Sequence, residues 1–167
     1  MKTKFVLLAV LVLGLSSCDL ITERKIWDIS PVIFTVQVAD ANGADLLNQN
    51  NQNAIDTSEV KALYRGVEYK CKKDPYAVMT KYYAPHFFGL QLSKHYMNGN
   101  YMLQFGEFDG AKSYSNEELT ILWGDGTSDK IKFNRKFRWR INGDPDSSEE
   151  WFLNGKKVSA RLIKIVK

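Results

Sequence analysis

The chain is poor in the residues that staple or metallate small proteins. Two cysteines and two histidines among 167 residues exclude a disulfide scaffold. His86 and His95 lie nine apart, with no His-Glu-x-x-His pattern and no paired cysteines, so no metal or other cofactor is expected. Four prolines and eleven glycines exclude a collagen-like repeat. Charge of one sign is scarce as well, since 23 cations against 19 acids leave only +4. With 44% hydrophobic residues the chain is no disordered tail. No Gly-x-Ser-x-Gly elbow occurs. Strands and helices do not alternate, which disfavours a doubly wound nucleotide-binding fold.

One long apolar run is present, at the N-terminus. Lys2 and Lys4 precede residues 5–15, which are interrupted only by Gly14. A bilayer-spanning helix needs ~20 apolar residues, so this run has instead the length of a secretory h-region. Leu15-Ser16-Ser17-Cys18 then resembles the bacterial lipobox: a hydrophobic residue, two small ones, and cysteine. In that family the thiol is alkylated with diacylglycerol, the signal is cut before the cysteine, and the new amine is acylated. The resemblance implies a signal peptide over 1–17, a lipidated Cys18 heading a tether over 18–27, and a folded domain over 28–167. Each buried methylene contributes ~0.8 kcal/mol, so such anchoring to a membrane is in practice permanent.

Removing 17 of the 167 residues leaves 150, and two cations leave with them, so the side-chain charge falls to +2. That is too near neutral to imply an electrostatic partner. A chain of this size hides roughly 70% of its surface on folding, enough for one ordinary core. Cys71 has no partner once Cys18 is lipidated. It alternates with Val67 and Tyr69 against Glu68, Lys70 and Lys72, which predicts an inert core thiol rather than a nucleophile.

After Pro31 the period is two, with Val32, Phe34, Val36 and Val38 on one side, a half-buried strand. The polar run 48–53 reads as a solvated loop. Asp56 to Gly66 fits either a capped helix or a strand entering a turn at Arg65-Gly66, and the strand is favoured because the alternating 67–72 needs a neighbour. Asp74-Pro75 predicts a short helix to Tyr83. Further strands are predicted over 87–92, 101–108, 119–123, 130–133, 137–141, 151–153 and 157–166. Asn98-Gly99, Asp109-Gly110, Asp125-Gly126, Asn142-Gly143 and Asn154-Gly155 punctuate them, pairs that tolerate the positive φ of tight turns. The expectation is an all-β protein: one immunoglobulin-like antiparallel β-sandwich of roughly 7–9 strands with at most one short helix.

Several segments resemble small lipoproteins of Bacteroidetes-type bacteria, most of them uncharacterised. They are Trp27-Asp28-Ile29-Ser30-Pro31-Val32, residues 39–47, residues 101–107, residues 119–129 and Trp151-Phe152-Leu153-Asn154-Gly155-Lys156. The resemblance implies an immunoglobulin-like sandwich in the cell envelope, at the outer membrane, and supplies no catalytic residues. Trp123-Gly124-Asp125-Gly126-Thr127 is also similar to the hairpin of PKD-type sandwich modules.

The richest surface candidate is residues 130–140, six cations interleaved with three aromatics. On a strand, Lys136, Arg138 and Arg140 share one face while Phe137, Trp139 and Ile141 share the other. Together with Lys132 and Arg135 this is either a stripe for phosphate, acidic sugars or headgroups, or the solvent face of an amphipathic strand. A second candidate is residues 74–88, where Tyr82 and Tyr83 stand among aromatics able to stack on sugar rings or to plug the sandwich. Residues 124–129 and 40–45 read as turns with Asx hydrogen bonds rather than calcium loops. The sequence therefore points to a non-catalytic binding or assembly role with an envelope protein or glycan as partner. A glycan-binding accessory of nutrient uptake is the alternative, a hydrolase comes third, and nucleic acid is not expected outside the cytoplasm.

Overall fold

The computed structural model describes residues 26–73, 87–95, 99–158 and 161–167. Cys18, the signal segment, most of the tether, the helix expected to reach Tyr83, and both Tyr82 and Tyr83 lie outside the described residues. Among those described there is no helix. There are eleven strands: β1 (Val32–Ala39), β2 (Lys61–Tyr64), β3 (Val67–Lys70), β4 (Lys72–Lys73), β5 (Phe88–Lys94), β6 (Tyr101–Phe108), β7 (Tyr114–Leu122), β8 (Ser128–Trp139), β9 (Pro145–Leu153), β10 (Lys156–Val158) and β11 (Leu162–Val166). They form two sheets, ordered β11-β1-β6-β5-β4 and β10-β9-β8-β7-β2-β3. The fold is an all-β sandwich.

Alternation decides which side chains meet between the sheets. Val32, Phe34, Val36 and Val38 of β1, with Leu90, Leu103, Phe105 and Ile163, face Ala62, Leu119, Ile121, Ile131, Phe133 and Trp151. Aromatic rings form the centre of this layer. Phe34 meets Phe105, Phe108, Phe133 and Trp151 edge-on at centroid distances of 5.2–6.4 Å, the arrangement that ring quadrupoles favour.

The chain passes from one sheet to the other four times, after β1, β3, β6 and β10, and the strands outnumber the expected 7–9 in part because two of these passages split the segments expected over 67–72 and 157–166. β3 and β4 flank Cys71 and belong to different sheets, as do β10 and β11. β1 pairs with β11, and β4 with β5, in parallel. All other pairs are antiparallel.

The strand reading of 61–70 is correct. Arg65 and Gly66 both have positive φ, 48° and 80°, as a type I′ hairpin turn requires. The two segments expected over 130–133 and 137–141 are instead one twelve-residue strand, β8. The polar interval 134–136 stays in the strand because Ile131 to Trp139 pair continuously with β9. The loop over 40–53 also carries Leu46 and Leu47 into the core. Its polar run fastens it there: Asn51 Nδ2 donates to the Asp45 carbonyl at 2.5 Å and Gln49 Nε2 to the Ile55 carbonyl at 2.8 Å.

Candidate functional site

One end of the sandwich gathers most of the sequence candidates. β1 begins there, where Val32 pairs with Phe108 at the end of β6. The β6–β7 connection runs over the same end, and β7 begins opposite Arg135 of β8. β8 and β9 continue past that point as a two-stranded ribbon closed by residues 140–144. The last support from the β7 side comes from Ser113, which accepts from the Phe137 amide at 2.9 Å through Oγ and donates to its carbonyl at 3.2 Å.

Two bulges shape this end. Phe105 and Phe108, three apart, both reach the core because Gly106 and Glu107 take positive φ and the register with β1 slips by one. Tyr114 and Glu117 repeat the device around Asn116, whose amide donates to Asn134 Oδ1 at 2.7 Å. Each extra residue re-aims the side chains beyond it.

The basic stripe divides. Arg135 is a correction to the expected surface set: it lies on the inward face with Ile131 and Phe133 and is 4% exposed. Its Nε and Nη2 donate to the Gly110 carbonyl at 3.0 and 2.6 Å, and its Nη1 donates to Glu149 Oε1. Alternation along β8 explains the placement, since residues 131, 133 and 135 share parity. Glu149 also accepts from Arg161 Nε and Nη2 at 2.8 and 2.7 Å and from Trp151 Nε1 at 3.2 Å. Burial pushes the Glu149 carboxyl up, but the Arg161 and Trp151 hydrogen bonds and the two guanidinium charges outweigh it and hold it below the usual glutamate range.

Lys136, Arg138 and Arg140 are exposed, as expected. Arg138 and Arg140 converge on one carboxylate, Asp146, with Nη2–O distances of 2.7 and 3.2 Å. Further along the outer face Lys130 pairs with Glu118 at 2.9 Å and Lys157 with Glu150 at 2.6 Å. Lys132, half-buried, lies between Glu118 and Phe152 in register. The stripe is thus laced with acids, most of it contributed by β7 and β9, which the linear sequence kept distant.

Apolar side chains expected on the opposite face of 137–141 become progressively exposed toward the ribbon tip. Phe137 is half-buried beneath Arg135, whose guanidinium carbon stands 5.8 Å from its centroid. Trp139 packs edge-on against it at 5.4 Å and is 54% exposed, and Ile141 is completely exposed. Sequence reasoning placed these residues on one face but missed that, beyond Phe137, none of the described residues covers it.

The acidic turns are internally satisfied. Asp125 Oδ1 accepts from the Thr127 amide and hydroxyl at 2.8 and 2.6 Å. Asp129 accepts from Trp123 Nε1 and Asn154 Nδ2, both at 2.7 Å, and Asp40 Oδ1 from the Asn42 and Ala44 amides. Asp45 binds the Leu47 and Tyr101 amides. Among the described residues no group of three or more His, Cys, Asp or Glu is placed to hold a metal ion. Cys71 packs against the core, half-buried, and burial pushes its thiol up to about 11. Its expected neighbour in alternation, Val67, is instead half-exposed at the sheet edge.

No family model, curated protein or solved structure matches this chain.

Proposed function

We propose that this chain is a lipid-anchored protein of the bacterial cell envelope, with a non-catalytic binding or assembly role performed by its sandwich domain. The observation that carries the reading is the N-terminal order Lys2, Lys4, apolar 5–15, and Leu15-Ser16-Ser17-Cys18. It supplies, in sequence, the charge, the h-region, the small residues and the thiol that lipidation chemistry requires. A compact sandwich whose acidic turns are consumed by internal hydrogen bonds suits a role of presenting surfaces. In this reading Cys18 holds the protein at the membrane, residues 19–27 give reach, and one end of the sandwich meets an envelope partner.

Metabolic labelling with palmitate tests it. The chain incorporates label in a bacterial host and stays in the membrane fraction after a high-salt wash, whereas Cys18→Ser is unlabelled. An unlabelled parent chain contradicts the anchor. The assembly role predicts that crosslinking in whole cells retrieves one recurrent envelope protein, and a chain that crosslinks only to itself contradicts it.

A further inference from the structure

The β8–β9 ribbon and the start of the folded domain meet at Gly110. Arg135, at the ribbon's base, holds the Gly110 carbonyl through two donors. Gly110 in turn lies so close to Ser30 that a β-carbon there would meet the Ser30 carbonyl oxygen at 2.1 Å. The entering chain therefore passes directly against the base of the ribbon. Ile26 and Trp27, a few residues upstream, are exposed, Ile26 almost completely. The described chain thus begins on the ribbon's side of the sandwich, at Ile26.

From these placements, and resting on the lipid-anchor reading, we infer that the ribbon tip is a second membrane contact. Trp139 and Ile141 enter the boundary between headgroups and acyl chains while Lys136, Arg138 and Arg140 meet anionic headgroups. The distances permit it. Beyond Phe137 the ribbon extends three residues to Arg140, about 10 Å at strand rise, before the turn that the Gly143 amide closes on the Arg140 carbonyl. Eight residue steps from Cys18 to Ile26 reach up to about 28 Å when fully extended. The tip therefore arrives at the headgroups without pulling on the tether.

The chemistry of the tip matches that surface. Tryptophan favours the membrane–water boundary because its ring is apolar while its N–H seeks a polar partner. The opposite face carries Lys136, Arg138, Arg140 and Lys157 against Asp144, Asp146 and Glu150, a small net positive charge that an anionic leaflet attracts. The arginine side chains at 138 and 140 are 77% and 57% exposed despite sharing Asp146, so donors remain available to phosphate. One tryptophan and one isoleucine bind a membrane weakly when the protein is free in solution. A short tether holds the tip at an effective concentration of about millimolar, where weak contact suffices. Two contacts at one end would restrict how the domain turns over the membrane and direct the far end outward.

Tryptophan quenching by brominated acyl chains tests the inference. Trp123 and Trp151 are buried in the core, so Trp27→Phe leaves Trp139 as the exposed indole among the four of the chain. The full chain, purified from bacterial membranes and confirmed as palmitate-labelled, is reconstituted into phosphatidylethanolamine–phosphatidylglycerol vesicles with brominated chains. Trp27→Phe loses a quenched emission component relative to unbrominated vesicles, and that loss disappears in Trp27→Phe/Trp139→Phe. The double variant is confirmed folded by its β-sheet circular dichroism. A labelled chain whose Trp139 emission is unaffected by bromine overturns the membrane contact and leaves the anchor standing, with a protein partner for the exposed face. An unlabelled chain overturns both.

Discussion

Arg135 and Gly110 tie the two sheets together at the end where the chain enters. The Arg135 guanidinium, 4% exposed, donates twice to the Gly110 carbonyl and once to Glu149. β8 is thereby joined to the β6–β7 connection on one side and to β9 on the other. A buried cation is costly unless both its charge and its donors are answered, and here a carboxylate answers the charge and a carbonyl answers the remaining fork.

Replacing Arg135 by methionine keeps much of the side-chain length but leaves the Gly110 carbonyl without its donors and deprives Glu149 of one of two guanidinium partners. Breaking a buried pair costs about 3–5 kcal/mol, and because Arg161 stays on Glu149 the expected loss is about 3 kcal/mol. Urea unfolding reads this as a lower midpoint at unchanged m-value. Arg138→Ala, which breaks an exposed pair, leaves the midpoint close to that of the parent chain. Equal losses at the two positions would contradict the buried role of Arg135.

Acid weakens the fold through Glu149. Its native pKa lies below the ordinary value of 4.5, so it stabilises the folded state at any pH above that value. The contribution drains away as pH falls from about 4.5 through the native pKa, because the unfolded chain takes up the proton first. Asp56, Asp125 and Glu150, at exposed positions, and the half-buried Asp146 are lowered in the same direction. Thermal melts between pH 3 and pH 7 should show Tm falling below about pH 4.5, less steeply in Glu149→Gln.

Cys71 is slow toward thiol reagents in the folded protein. With its pKa pushed up to about 11 by burial, the thiolate at pH 8 is scarcer by about two orders of magnitude than in a free cysteine. Ellman's reagent reacts promptly only after denaturant is added. One thiol per chain is then titrated if Cys18 carries a thioether, and two if it does not.

Gly110→Ala places a methyl group 2.1 Å from the Ser30 carbonyl oxygen, a separation that only backbone displacement can relieve. The expected cost is about 2 kcal/mol, within the range for strained or overpacked substitutions. Hydrogen exchange should quicken at residues 30–34 and at the ribbon base while the far end around Trp123 stays protected. Uniform loss of protection across both ends would show that the entry segment is not held locally.

The alternation of β1, the Arg65-Gly66 and Asn154-Gly155 turns and the exposure of Lys136, Arg138 and Arg140 were all readable along the chain, because each depends on neighbours one to four residues away. Arg135 was not. It reads as one more cation of a basic stripe, and its burial depends on parity set by Ile131 and Phe133 and on partners 14 and 25 residues distant. The continuity of β8 escaped for a similar reason: nothing local distinguishes a polar interval within a strand from a turn, and pairing with β9 decides it.

By itself the amino-acid order determined the period-two pattern, the positions of the tight turns and the all-β class, since these depend on side-chain alternation and on which residues tolerate positive φ. The four passages between sheets, the bulges that bring Phe105 and Phe108 to one side, and the burial of Arg135 against Gly110 and Glu149 were decided only in the tertiary structure. Each depends on which distant strands pair and in what register, and that is settled by how the two apolar faces close over one another.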